Sequence, residues 1–268
     1  MEKIDIVIQG GMWYSNSTSE VVPYTTALYY LTFPFVNNVI ISTWDYEVAK
    51  LKELDVLVPE SRIKFVFSSP PENDGGGNLN YQIISSAAGI KECTTKHVVK
   101  CRSDQTLLGD SLAMMYKFYN KFHTGNQLFV LGIGTQFPYH PQDHIIWGKK
   151  EDLANFFDLP FETADATYGP HTDFGTNTLR GPIHLGVHYC ARFSEKAKLH
   201  ASQPKTYLLD KAPKFGEAMQ EYFKIMDTCF KAFPRVHMEW HKYGGGYKYD
   251  LYAPQGEVYH DEPWGDAT

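Results

Sequence analysis

Three shortages narrow the reading of this 268-residue chain before any motif is sought. Cysteine is scarce: Cys93, Cys101, Cys190 and Cys229 are the only four, and no two form a CxxC pair. A chain of this length can bury an adequate core without cross-links, so the four read as reduced thiols of a cytoplasmic protein. A basic excess is also lacking. Lys and Arg number 25 against 31 Asp and Glu, for a net charge of −6, which disfavours a sequence-independent nucleic-acid binder. Long hydrophobic runs are missing as well. No apolar stretch approaches the roughly 18 residues of a membrane span, and the opening MEKIDIVIQGG carries no signal-peptide h-region. The expected location is therefore cytoplasmic, with a peripheral membrane contact left open.

Several catalytic signatures are absent too. There is no Walker A pattern, and no GxGxxG follows the first apolar segment. Neither GxSxG nor HExxH occurs, so a serine hydrolase or a zincin is unsupported. What the chain does hold is an ordinary soluble composition, 43% apolar and 21% charged, with a high aromatic share of 15% and 18 Tyr. Aromatic rings line sugar and nucleotide sites, although more often they fill cores.

The first half alternates two kinds of segment. Apolar runs at 4–10, 38–44, 62–69, 97–104 and 127–134 predict strands. Between them, 22–31, 45–54, 78–89 and 109–122 predict helices, the third closed by Gly89. Strands apolar on both faces and separated by helices imply an α/β fold around a mostly parallel sheet. In such sheets ligands bind at the carboxyl ends of the strands. The polar residues gather at those ends: Gln9, Thr43–Asp45, Ser68–Ser69 and Arg102–Asp104. The second half predicts helices at 149–161, 182–193 and 214–233, then a tail rich in Gly, Tyr and acids. With no internal repeat and no clear linker, one domain over 1–268 is expected.

Some clusters admit both a chemical and a plain structural reading. GGGN at 75–78 opens a helix whose N–H groups could hold a phosphate, or it is turn chemistry. His184/His188 and His237/His241 have the i,i+4 spacing that would place each pair on one helix face, though two imidazoles make an incomplete metal site. FPYHPQDH places His140, Asp143 and His144 in a loop after a strand, where an acid can serve as general base or merely be solvated. Asp104 ends the run HVVKCRSD. It could hold a hard divalent cation, with Arg102 near enough to meet a phosphate, or the two could form a structural ion pair.

IVIQGG, IISTW, NLNYQIISSAAGI, VVKCRSD and QDHIIWGKKEDL, in this order over about residues 4–161, resemble the WavE lipopolysaccharide-synthesis family of glycosyltransferases. N-x-N-x-Q-I-x-S and K-x-R-S-D are the most specific elements. The resemblance implies a GT-A-like nucleotide-diphospho-sugar transferase fold, with 1–135 as the nucleotide-sugar-binding half and 136–268 as the acceptor-side half. It puts Arg102-Ser103-Asp104 where the family fold carries a DXD motif, an arginine replacing the first acid. Asp104 would then hold Mn²⁺ or Mg²⁺. Gln9, Gly10, Thr43 and Trp44 would meet the nucleoside, Asn80 and Gln82 the sugar nucleotide, and Arg102 and Ser103 the diphosphate. Where an acidic stretch is expected on a later helix, this chain has PIHLGVHY. Asp143 thus becomes the first choice of catalytic base and His184 the second.

The resulting expectation is a transferase moving a sugar from a UDP- or GDP-sugar to a hydroxyl of a surface glycan or lipopolysaccharide-type acceptor. A non-catalytic nucleotide- or glycan-binding protein of the same fold is the alternative. A nucleotidyltransferase would want basic residues in a Gly-rich turn after the first strand, and IQGGMWYS has none.

Overall fold

A computed structural model describes residues 2–12, 21–53, 60–75, 78–134, 137–162, 180–202, 215–234, 236–241, 247–252 and 258–259. The chain begins with β1 (Ile4–Gln9), α1 (Val22–Tyr30), β2 (Val36–Trp44), a 3₁₀ turn over Asp45–Glu47, α2 (Val48–Glu53) and β3 (Ile63–Ser68). It continues with α3 (Leu79–Glu92), β4 (His97–Arg102), β5 (Gln105–Leu107), α4 (Ser111–Phe122), β6 (Leu128–Val130), β7 (Ile133–Gly134) and β8 (His140–Pro141). Then come β9 (Ile145–Lys149), α5 (Lys150–Phe157), α6 (Arg180–Cys190), α7 (Glu195–Ser202), α8 (Phe215–Cys229), β10 (Phe230–Ala232), β11 (Val236–His241), β12 (Tyr247–Tyr252) and β13 (Val258–Tyr259).

Seven strands form the central sheet in the order β10-β6-β9-β4-β1-β2-β3. The β1–β2, β1–β4, β2–β3 and β10–β6 pairs are parallel, and β9 runs antiparallel between β4 and β6. Every residue of β1 is buried, as a strand at the middle of a doubly covered sheet requires. Its side chains alternate between two cores. Ile4, Ile6 and Ile8 join the cluster that holds Tyr30 of α1 and Met115 and Tyr119 of α4. Val7 joins the opposite cluster with Ile83 of α3, Phe156 of α5, Leu185 of α6 and Tyr222 of α8. The α/β class and the mostly parallel sheet read from the sequence are therefore present.

Several local expectations differ from the structure. The helix expected over 214–233 stops at Cys229, and Phe230–Ala232 is β10, paired with β6. Gly89 does not close the third helix, because α3 runs on to Glu92. It is instead a point of close approach: a Cβ there would stand 2.5 Å from Val7 Cγ1 and 3.0 Å from Ser42 Cβ. IIWGK, read as part of a loop, is β9. The tail contributes strands, and β5, β11, β12 and β13 form a second, antiparallel sheet. His237 and His241 consequently lie on β11 rather than on a helix. No described helix is long and apolar enough to cross a membrane.

Candidate functional site

The parallel register brings the polar strand ends together. Gln9 is paired with Ser42 on one side and with Arg102 on the other. The turn beyond β1 is pinned from both neighbours, since Gly10 N donates to Ser42 O (3.0 Å) and Ser103 N donates to Gln9 O (2.8 Å). Gly10 has φ +125°, and a Cβ on it would come within 2.6 Å of Ser103 Oγ. This is the one turn in the site where glycine is required by both backbone and space.

Above these ends lies a cleft of about 410 Å³, within the range of small-molecule sites. Gln9, Gly10 and Gly11 supply one wall, and Arg102, Ser103 and Asp104 another; Trp44 and Tyr46 follow β2, and Asn78, Tyr81 and Gln82 come from the start of α3. Gln9 is held by Ser85, whose Oγ donates to Gln9 Oε1 at 2.7 Å. Trp44 is only 2% exposed and meets Tyr81 edge-to-face at 4.8 Å. Tyr46 is 60% exposed and offers its ring at the mouth.

Thr43 and Asn80 are not brought to the cleft. Successive strand residues face opposite ways. Trp44 therefore reaches the cleft while Thr43 is fully buried, its hydroxyl without a partner. Residues two apart on a helix do not share a face. Asn80 points inward, its Nδ2 donating to Glu162 O (2.8 Å) and to Asn73 Oδ1 (2.7 Å) and its Oδ1 accepting from Glu162 N (2.9 Å). It ties the loop before α3 to the segment after α5. Gln82 alone of the two lines the cleft.

Asp104 is gripped by Arg102: Nε donates to Oδ1 at 2.9 Å and Nη2 to Oδ2 at 2.6 Å. The guanidinium side chain keeps 38% of its surface exposed and the carboxylate 14%. The Mn²⁺ or Mg²⁺ implied by the family resemblance needs several hard oxygen ligands. Among the described residues that line the cleft Asp104 is the one carboxylate, and each of its oxygens accepts a hydrogen bond from Arg102. Among the described residues no three His, Cys, Asp or Glu side chains form a metal-holding group. The described residues alone do not make a divalent-cation site at Asp104.

Asp143 lies behind Gln82 rather than on the cleft surface. It is 6% exposed, and its Oδ2 accepts from Gln82 Nε2 at 2.6 Å. Burial pushes its pKa up, but Lys100, His144, Arg102 and the Gln82 hydrogen bond outweigh this and hold the carboxyl below its ordinary range. It is thus a buried anion, which makes it a weak proton acceptor. His184 is 3% exposed on α6, with Nε2 3.2 Å from Pro160 O and its ring 4.6 Å from that of His188. It does not line the cleft. The side chains of the second histidine pair lie outside the described ones.

The sequence reading missed two residues. Tyr46 carried no motif; its signal was its place just past a strand end. Lys100, inside HVVKCRSD, is fully buried, with Nζ donating to the Asp143 carbonyl at 2.7 Å and lying 5.7 Å from the centre of the Phe157 ring. Burial pushes its pKa down to about 8, with Asp143 opposing. Alternation along β4 carries the signal, since Val98 and Lys100 point to the same, covered face.

No curated protein matches this chain. Solved structures similar to it include 4-diphosphocytidyl-2C-methyl-D-erythritol synthase of Anaerococcus prevotii, at 10% identity and TM-score 0.41 over 61% of this chain and 79% of that one. HddC of Yersinia pseudotuberculosis shows 15% identity and TM-score 0.35 over 62% and 85%. TarS of S. aureus shows 12% identity and TM-score 0.37 over 70% and 33%. The sequence profile of WavE lipopolysaccharide synthesis matches residues 4–180, the stretch that builds β1 to β4 and the cleft above them, and the chain belongs to that family.

Proposed function

We propose that this chain is a glycosyltransferase of GT-A type that takes a sugar from a nucleoside diphosphate donor and passes it to a hydroxyl of a lipopolysaccharide-type glycan. The observation that carries the reading is the convergence on one cleft of three parallel strand ends, the first turn of α3 and an ion-paired guanidinium. A helix start and a guanidinium both favour phosphate oxygens. Tyr46 offers aromatic surface to a base, and Gln9 and Gln82 offer amides to hydroxyls. As the glycosidic bond to the diphosphate breaks, charge grows on the leaving oxygen, and Arg102 is the cleft residue that meets it. Family membership supplies the biosynthetic setting.

A second reading is a nucleotide-sugar-binding protein without transfer activity. It is favoured by the burial of both Asp143 and His184, which leaves the cleft without either expected base. The test is calorimetry with UDP-glucose, UDP-N-acetylglucosamine and GDP-mannose, each against its bare nucleotide, followed by an assay of nucleotide release. Binding with release supports transfer, and binding without release supports the second reading. Absence of binding removes both.

A further inference from the structure

The polarity of the Gln82 amide is dictated by its neighbour. An ionised carboxylate only accepts hydrogen bonds, so the group of Gln82 that meets Asp143 Oδ2 at 2.6 Å is the NH₂. Oε1 then lies on the other side. It accepts no hydrogen bond among the described residues and is not among the buried, unpartnered atoms, so it is open to solvent in a residue that lines the cleft. Gly181 of α6 packs near the pair: a Cβ there would stand in ordinary contact, 3.7 Å from Oε1 and 3.9 Å from Asp143 Oδ2.

We infer that Asp143 is a positioning residue, held by the buried Lys100, which locks the Gln82 amide with Oε1 towards the cleft, so that position 82 accepts from a ligand hydroxyl. The hydroxyl's identification as one on a donor sugar rests on the proposed function; the lock itself does not.

Three features make the lock one-way. Lys100 Nζ fastens the backbone of Asp143 through its carbonyl, which fixes where the carboxylate stands. The nearby charges of Lys100 and Arg102 keep that carboxylate ionised in spite of burial. Gly181 of α6 closes in on the same carboxylate, a Cβ on it standing 3.9 Å from Oδ2. A neutral acid at 143 could donate as well as accept and would let the amide turn over; an anion cannot. The first two supports come from β4 and the loop before β9, and Gln82 comes from α3, so three elements separate in sequence define one acceptor atom.

The lock is read without any ligand. In the full chain labelled with ²H and ¹⁵N, the Gln82 side-chain NH₂, assigned by its disappearance in Gln82→Met, should exchange about tenfold more slowly than the other glutamine amides, the protection expected of a buried hydrogen bond. Asp143→Asn should abolish that protection. Exchange at the ordinary rate in the wild type overturns the inference, and that measurement stands even if Asp143→Asn fails to fold. The hydroxyl-reading role is tested with UDP-glucose against UDP and GDP-mannose against GDP. Gln82→Met should weaken the sugar nucleotide about tenfold more than the bare nucleotide, the size of one hydrogen bond. Equal loss for both overturns that role. If the wild type binds none of the four, the proposed function fails, while the exchange result still decides the lock.

Discussion

Arg102 and Asp104, two residues apart at the end of β4, join through two parallel hydrogen bonds of 2.9 and 2.6 Å. Bidentate pairing of this kind fixes a guanidinium in both place and plane. At the carboxyl edge of a parallel sheet the pair does what neither residue does alone. Asp104 steers the cation, and Arg102 presents it to the cleft.

The first prediction follows from that division of labour. Arg102→Met should weaken whichever nucleoside diphosphate the wild type binds by about ten- to a hundredfold, the range of one hydrogen bond to a charged group. Asp104→Asn should produce a smaller loss, because the guanidinium remains but is no longer held. Treatment with EDTA should leave wild-type affinity within about twofold, since Asp104, the one carboxylate among the described cleft residues, is ion-paired to Arg102. Calorimetry measures all three. An EDTA-sensitive affinity that Mn²⁺ restores in the wild type and not in Asp104→Asn would put a metal at Asp104 and sink this account.

The second prediction separates in role two aromatic residues, Trp44 and Tyr46, that lie side by side in place. Trp44 is 2% exposed and Tyr46 is 60% exposed. Trp44→Ala removes a buried side chain from the floor and should lower stability by about 3–5 kcal/mol. Tyr46→Ala should shift stability by no more than about 0.5 kcal/mol, yet weaken nucleotide binding by about 1–3 kcal/mol if its ring stacks on the base. Thermal melts and calorimetry on the same preparations decide. Unchanged affinity in Tyr46→Ala would remove Tyr46 from the site.

How much of this the sequence disclosed depends on which physical signal each residue carries. The ends of β1, β2 and β4 were legible because an apolar run that stops at a polar residue marks both a strand and its edge. Asp104 beside Arg102 was legible as a pair, but a pair at i,i+2 does not say whether the acid holds a metal or a guanidinium. Asn80 and Gln82 were placed together from the motif alone, although two residues of helix turn one of them away from the cleft. Lys100 was hidden because lysine normally marks solvent, and only burial on the covered face of β4 gives it a role. β9 was hidden because its five residues follow a His- and Pro-rich stretch that reads as one loop. The strands of the tail lack apolar alternation strong enough to stand out from its Gly and Tyr content.

The third prediction concerns acid. Burial lowers the pKa of both His123 and His144 from 6.5 to about 4. His97, Lys149 and Lys96 add to the lowering at His123 and Glu2 opposes it, while its ring lies 4.6 Å from that of Tyr119. The unfolded chain takes up these protons near pH 6.5 and the folded chain only near pH 4. Between those values the unfolded state binds more protons, so stability falls as pH falls through the window. The slope is at most about 1.4 kcal/mol per pH unit for each group. Denaturant midpoints at pH 7, 5.5 and 4.5 should drop in that order, and His123→Phe should make the drop shallower. A His123→Phe slope equal to that of the wild type would show that His123 titrates normally in the fold.

The last prediction tests the turn that sets the cleft floor. Gly10 sits at φ +125° with Ser103 Oγ 2.6 Å from where a Cβ would be. Its amide is fixed to Ser42 O, and the next bond, Ser103 N to Gln9 O, leaves the turn no slack. Gly10→Ala therefore meets two separate penalties. The backbone strain is intrinsic to a side chain at this φ and costs on the order of 1–3 kcal/mol. The clash depends on Ser103 and can be relieved. The double variant Gly10→Ala with Ser103→Gly should recover only part of the lost stability, because it removes the clash and keeps the strain. Nucleotide affinity should follow the same order, lowest in Gly10→Ala and partly restored in the double variant, since Gly10 and Ser103 both line the cleft. Chemical denaturation and calorimetry on the wild type and both variants measure the two effects together. Full recovery in the double variant would show that the close approach alone, and not the backbone conformation, requires glycine at this position.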